Sequence, residues 1–470
     1  MIAVLAATAL AIVTQDNASL RAAPSGGAAQ HAQLAAGDLL EVRGERLDFL
    51  QVYDHRRERA GYVRATQVRA VTANEDAAPQ LMVVVRFLRD TPGAEALGIA
   101  YVAAYLKAAP ARAIGAEPFD ALGVMAERLA RRASASGAPK AAVAALETVA
   151  PYGVRFASLT ARDGAMTLCY DGDAFRRVLA QPGATADEQA RAALALTRAD
   201  CIDPSLPVRE RMALNAWRAQ TLDRIDATAA LTGPAAQRLH ARRAAVWASV
   251  AFDRSRQGES AQAAAQRAID ELAAVDRHEL SDDDRAAYDD AAVRVGAARW
   301  AAQGSVVPEA RLSIATQPGA EPGQTCVTLN DPKQAALARR CTYGTVWTAS
   351  ARVAADAKTA VLAVQPLDAW TELWVFRLQR NGRWTIDALP PAAASDTGVG
   401  YIEFAGFVPG QAKLLVARES RVGGQSQRRF EVLRLDGGFA AERWASTPQK
   451  LTAFSRWTDA SWKQGSVILR

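Results

Sequence analysis

The sequence predicts a multidomain α+β protein with a small β-barrel, an α-helical array and an antiparallel β-repeat domain, in that order. Three observations lead there. The chain has 470 residues, more than a single core usually fills. Residues 12–72 hold short alternating segments broken by Gly and polar turns, whereas residues 92–303 are Ala-rich with apolar residues at helical spacing. Residues 308–470 return to strand-like alternation and repeat themselves.

The opening "MIAVLAATALA" combines a short apolar core with small-x-small ends, so residues 1–11 read as a signal peptide. A basic leading segment is missing. An atypical signal, a start downstream of the true one, and a first buried strand all remain open on these residues. No Cys follows the apolar stretch, so nothing indicates a lipid-anchored N-terminus.

Residues 12–72 form the first domain. "DLLEVRGER" puts Leu40 and Val42 on one face, "DFLQVYDHRR" does the same with Leu50 and Val52, and "AGYVRATQV" closes the set. Strands this short, separated by polar turns, make a small barrel. The stretch "SLRAAPS", followed by "LDFLQVYD" and then "GYV" at Gly61 to Val63, resembles the motif order of bacterial Src-homology-3-like domains over about 60 residues. Tyr62 stands where that family usually has Trp, and Ala22 and Ala23 stand where a Gly before the Pro is common. The resemblance implies a non-catalytic recognition or targeting module of exported bacterial proteins, often one that binds cell-wall peptides. Tyr53, His55 and Tyr62 would then be the ligand-binding residues of its groove.

Polar, Pro-bearing "TANEDAAPQ" predicts a linker, taken over residues 73–91. The helical domain spans 92–303. Within it Leu122, Met125 and Leu129 recur at three and four, and residues 151–180 interrupt the helices with a hairpin whose turn is Asp163-Gly164. Ala265, Ala268, Ile269, Leu272 and Val275 form one stripe, and Gly258 ends the helix before it. Ser281 reads as the N-cap of the last helix, with Asp284 at the capping-box position and Tyr288, Ala291, Ala292 and Val295 inward. The Asp triplet there lacks the alternating ligands, central Gly and distal Glu of a calcium loop, so it reads as a helix N-terminus. The helix pairs miss the signature positions of tetratricopeptide repeats, which leaves an irregular array.

An internal repeat of about 55 residues marks the C-terminal domain. "VAADAKTAVLAV" aligns with "VPGQAKLLVAR", putting Lys358 against Lys413, and the hairpin turns Asn381-Gly382 and Asp436-Gly437 repeat at the same interval. "RWTDASWKQGSVILR" reads as a third, partial copy. Each copy predicts four antiparallel strands and resembles a β-propeller blade, without the signature dipeptides. About three units fall short of a closed propeller, so a meander or sandwich is the alternative.

Composition and motifs bound the function. With 50% hydrophobic and 23% charged residues, and no apolar run of about 20, no transmembrane span is expected. The net charge of +6 comes from Arg scattered among Asp and Glu, so no nucleic-acid partner is expected. Cys169, Cys201, Cys326 and Cys341 lack metal-ligand spacing, and we expect two local disulfides, Cys169 to Cys201 and Cys326 to Cys341. Disulfides point to a periplasmic or secreted protein. No nucleophile elbow, zincin, P-loop or dinucleotide motif occurs, and the four His (31, 55, 240, 278) lie apart. The expectation is an exported recognition or scaffold protein of the cell envelope, without cofactor, metal or catalytic residue, whose partners are cell-wall peptides (peptidoglycan) and envelope proteins. The alternative is a cell-envelope hydrolase that its N-terminal module delivers to the wall.

Overall fold

The computed structural model describes residues 9–71, 74–160, 166–225, 231–303, 312–392, 399–422, 425–436 and 438–465. It is a multidomain α+β fold, strand-rich at the N-terminus, helical in the middle and built on sheets at the C-terminus. The chain divides into two compact units at Pro207/Val208, so the helical region expected as one domain over 92–303 is shared between them.

In the first unit, seven strands form one antiparallel sheet. They are β1 (Ala9–Val13), β2 (Ala18–Arg21), β3 (Gln30–Leu34), β4 (Leu39–Arg46), β5 (Phe49–Asp54), β6 (Arg59–Arg64) and β7 (Val68–Val71), in the order β3-β2-β6-β5-β4-β1-β7. The inward residues Leu20, Leu34, Leu40, Val52 and Val63 build its core, with Val42 and Leu50 half-buried at the margin. β1 takes in Ala9 to Ala11, the end of the segment read as a signal peptide; residues 1–8 of that segment lie outside the described residues. Ala11 is buried, between Leu40 of β4 and Ala70 of β7.

The expected linker over 73–91 is a correction. Residues Ala78–Arg89 form α1, burying Leu81, Met82, Val85 and Leu88. Pro79 lies in its first turn, where a missing N–H removes no intrahelical bond. Four more helices and a hairpin follow: α2 (Glu95–Ala108), α3 (Glu117–Ser134), α4 (Lys140–Val149), the pair β8 (Phe156–Thr160) and β9 (Met166–Tyr170), and α5 (Asp173–Ala180), before α6 (Ala186–Leu196). The turn expected at Asp163-Gly164 lies outside the described residues, but the strands flanking it pair as a hairpin from Phe156↔Tyr170 to Thr160↔Met166. Met125 and Leu129 of α3 share one core with Val85, Ile99 and Val102, and this core also holds Ile12 and Val71 of the sheet. The sheet is therefore docked on the helices. Gly37 carries a φ of +96°, and a Cβ there would come within 2.7 Å of the Ala96 carbonyl oxygen on α2. Beside it the buried Asp38 receives Arg56 at 3.2 Å and Arg57 at 2.9 Å, while Arg56 also reaches Glu147 of α4 at 2.8 Å.

The second unit opens with four helices: α7 (Val208–Asp223), α8 (Gly233–Arg256), α9 (Gln262–Ala273) and α10 (Asp282–Ala298). Gly258 follows the end of α8 with a φ of +74°, the left-handed conformation that stops a helix. The Ser281 hydroxyl oxygen accepts from the Asp284 N–H at 3.2 Å, capping α10.

Three β-layers then stack. The first is β10 (Ser313–Pro318), β11 (Thr325–Asn330) and β12 (Ala336–Thr342). The second is the meander β13 (Thr345–Val353), β14 (Thr359–Leu367), β15 (Trp370–Leu378) and β16 (Trp384–Leu389). The third is its repeat, β17 (Gly400–Phe407), β18 (Lys413–Val422), β19 (Gln425–Arg434) and β20 (Ala441–Ala445). A short parallel pairing of β15 with β17 ties the two meanders into one eight-stranded sheet. Alternation along the strands explains the stacking. Leu362, Val364, Trp374 and Phe376 face Val327 and Leu329 of the first layer, whereas Val361, Leu373 and Val375 meet Ile402, Phe404, Leu414 and Val416 of the third. Residues Tyr401, Leu415, Ala417 and Phe430, on the far face of the third layer, close against Val293 and Ala297 of α10.

The third, partial β-copy is also corrected. Thr452–Trp457 and Ala460–Gly465 form helices α11 and α12, and Phe454 and Trp462 bury against Phe430. Residues 466–470 of that copy lie outside the described residues.

Candidate functional site

The motifs that carried the family resemblance meet in space. β2 pairs with β6 through Arg21↔Tyr62, and Leu20 lies under Gly61 so closely that a Cβ on Gly61 would sit 2.7 Å from Leu20 Cγ. Glycine is required there by contact. The Arg21 guanidinium donates to the Ala28 carbonyl at 2.9 Å, fastening the loop that bears the proline turn.

Residues Tyr53 and Tyr62 both point away from the core. Their strands pair Gln51↔Tyr62 and Tyr53↔Ala60, which places the two tyrosines diagonally on one face. The Tyr53 ring is held on two sides, by His55 edge-on at 4.8 Å between centroids and by the Arg43 guanidinium 4.1 Å above it. Glu41 completes the group, 2.5 Å from His55 Nε2 and 3.1 Å from Arg43 Nε. Hydrogen bonds from Arg43 and then from His55 hold the Glu41 carboxyl below its ordinary range. The result is a half-buried aromatic patch rimmed by Arg21, Arg43 and Arg64, with one carboxylate already neutralised. Tyr53 and His55 are in direct contact, and Tyr62 stands on the same face one diagonal away. Arg43 and Glu41 escaped the sequence reading, although both alternate with Leu40 and Val42 and so had to face outward.

The other sequence-predicted residues are structural. Cys169 of β9 is bonded to Cys201 beyond α6, and Cys326 to Cys341 directly across the β11–β12 ladder. His31 Nδ1 lies 3.3 Å from the Ala60 carbonyl oxygen, and His240 Nδ1 lies 2.6 Å from Glu271. Among the described residues no cluster of three metal-ligating side chains occurs, and no helix is long and apolar enough to cross a membrane.

A second concentration of buried polar groups lies in the second unit. Arg294 of α10 reaches Asp290 at 2.8 Å and Asp368 at 3.4 Å, Arg421 reaches Asp290 at 3.0 Å, and the Ser249 hydroxyl donates to Asp368 at 2.9 Å. Nearby, the Asn215 amide donates to Asp253 at 2.9 Å. Each of these carboxylates is engaged, so the cluster clamps helices to the sheet rather than offering a free acid. Burial, with a smaller push from Asp368, raises the Asp253 carboxyl to about 6, against the pull of Asn215, Arg211 and Arg256. A carboxyl raised in the folded state favours folding at low pH, and that contribution is lost as pH rises through about 6. Asp253→Asn should therefore flatten the stability loss between pH 4 and pH 6.5, a difference on the order of 1–2 kcal/mol after solvent screening. Urea unfolding of both proteins at the two pH values measures it, and parallel curves would rule it out.

No protein-family model, curated protein or solved structure matches this chain.

Proposed function

We propose that this chain is an exported recognition or scaffold protein of the bacterial cell envelope, in which the N-terminal sheet is a Src-homology-3-like module that binds cell-wall peptide. The observation that carries this reading is the Tyr53–Tyr62 face, an outward aromatic patch on the sheet where Leu20 and Arg21 of "SLR" meet Gly61 and Tyr62 of "GYV". Rigid aromatic side chains give contact area at small entropic cost, and the surrounding guanidinium groups suit carboxylate-bearing peptides. The two disulfides are compatible with an oxidising compartment. The helices and β-layers would hold partner proteins.

The test uses the full chain, because β1 begins at Ala9 and the sheet shares a core with α1 and α2. Sedimentation with purified peptidoglycan should retain the protein. Tyr53→Ala should weaken retention about thirtyfold, the roughly 2 kcal/mol of a lost aromatic anchor, while Tyr62→Phe retains most of it. A folded full-length chain that stays in the supernatant overturns the reading.

A further inference from the structure

The C-terminal layers of the second unit hold a cavity of their own. It has a volume of about 200 Å³ and opens on the β18–β19 ladder where the chain leaves β16, walled by Pro391 on one side. Arg418 and Ser420 of β18 line it together with Gln427, Arg429 and Glu431 of β19. The register explains why they converge. Arg418 stands directly opposite Arg429 and Ser420 directly opposite Gln427, all on the face that carries Leu414 and Val416 further along the strand.

Two guanidinium groups facing each other across a ladder are unfavourable in themselves. A single carboxylate, Glu431, offsets them, 3.1 Å from Arg418 Nη2. Arg418 is further fixed by donating to the Pro390 carbonyl at 2.9 Å, and its Nε–H is buried with no acceptor. No carboxylate pairs with Arg429 among the described residues; it contacts the Gln427 amide oxygen at 3.4 Å and lies 5.1 Å over the Trp444 ring. Among the described residues the cavity thus holds two guanidinium groups against one carboxylate, together with a hydroxyl and an amide.

We propose that this cavity binds the carboxylate of a small organic acid, with the Arg429 guanidinium as its principal donor and the Ser420 hydroxyl beside it. One net positive charge matches a monoanion better than a phosphate dianion. The volume limits the ligand, since about seven waters fill the same space. A planar carboxylate also accepts two parallel N–H bonds from a guanidinium, the geometry such a site offers.

Equilibrium dialysis of the full chain against radiolabelled butyrate tests this, with butyramide as the neutral isostere and inorganic phosphate as the competing anion. We expect butyrate to bind with a Kd of about 1 mM or tighter, butyramide not to compete, and phosphate to compete only weakly. Arg429→Gln should weaken butyrate at least tenfold. Glu431→Gln, which removes the internal competitor, should tighten it. Absence of butyrate binding, competition by butyramide equal to butyrate, tighter binding of phosphate, or an unchanged affinity in Arg429→Gln with native circular dichroism would each overturn the proposal.

Discussion

Glu403→Ala is expected to destabilise the protein by about 3–5 kcal/mol, because it removes one member of a buried charge pair. Glu403 on β17 and Arg299 beyond α10 are each only 1% exposed, and Glu403 Oε1 lies 2.6 Å from Arg299 Nε. The alignment is that of a close charge contact rather than a good hydrogen bond, as the Nε–H is not directed at that oxygen. The second carboxylate oxygen accepts from the Trp462 indole N–H at 2.7 Å, so the substitution also orphans a buried donor on α12. Replacing the pair together, Arg299→Met with Glu403→Leu, removes both charges and keeps the volume, and should recover most of the loss. Urea unfolding of the two variants separates the cases. A single substitution that costs under about 1 kcal/mol would show that the site hydrates or rearranges freely.

The disulfides have the second largest expected effect. The bond from Cys169 to Cys201 closes a loop with a sequence separation of 32, and the bond from Cys326 to Cys341 one of 15. On the chain-entropy argument these are worth about 3.7 and about 3 kcal/mol respectively. Cys169→Ser with Cys201→Ser should therefore weaken the first unit more than the corresponding pair of substitutions weakens the second. The first bond also joins the β8–β9 hairpin to the chain beyond α6, so its loss frees that tail from the hairpin. Thiol labelling of the unreduced, denatured protein should find no reactive cysteine. Four reactive cysteines would remove both the stability prediction and one of the reasons for placing the protein outside the cytoplasm.

What could be read from the sequence was what nearest neighbours decide. The alternation around Leu40 and Val52, the Ser281 cap and the turn at Asn381 all depend on residues within a few positions of one another. So does the 55-residue repeat, whose copies fold alike because each carries its own strand pattern. The misreadings arise where distant contacts decide. Residues 73–91 looked like a linker because Pro79 and the polar run before it dominate, yet the inward residues of α1 acquire meaning only against α2 and α3. The segment "RWTDASWKQGSVILR" looked like a third strand-bearing copy. Its Trp462 instead sits on a helix and packs edge-on against Phe430 and Phe454. For the tyrosine patch, the ring positions were legible, but not the way Arg43 and Glu41 fix them. That arrangement depends on the β4–β5 register, in which Glu41 stands opposite Tyr53.

The place of β1 sets a timetable for synthesis. Its outer neighbour is β7, with Leu10 opposite Val71, so β1 leaves the ribosome about sixty residues before the strand that covers it. At about 5–20 residues per second, that delay is roughly 3–12 s. Throughout it, the apolar segment "ALAIV" has no ladder to join on that side and is at risk of pairing with another nascent chain. A holding chaperone would be needed most in that interval. Slowing translation between Val13 and Val68 should then raise aggregation, whereas slowing it after Val71 should not.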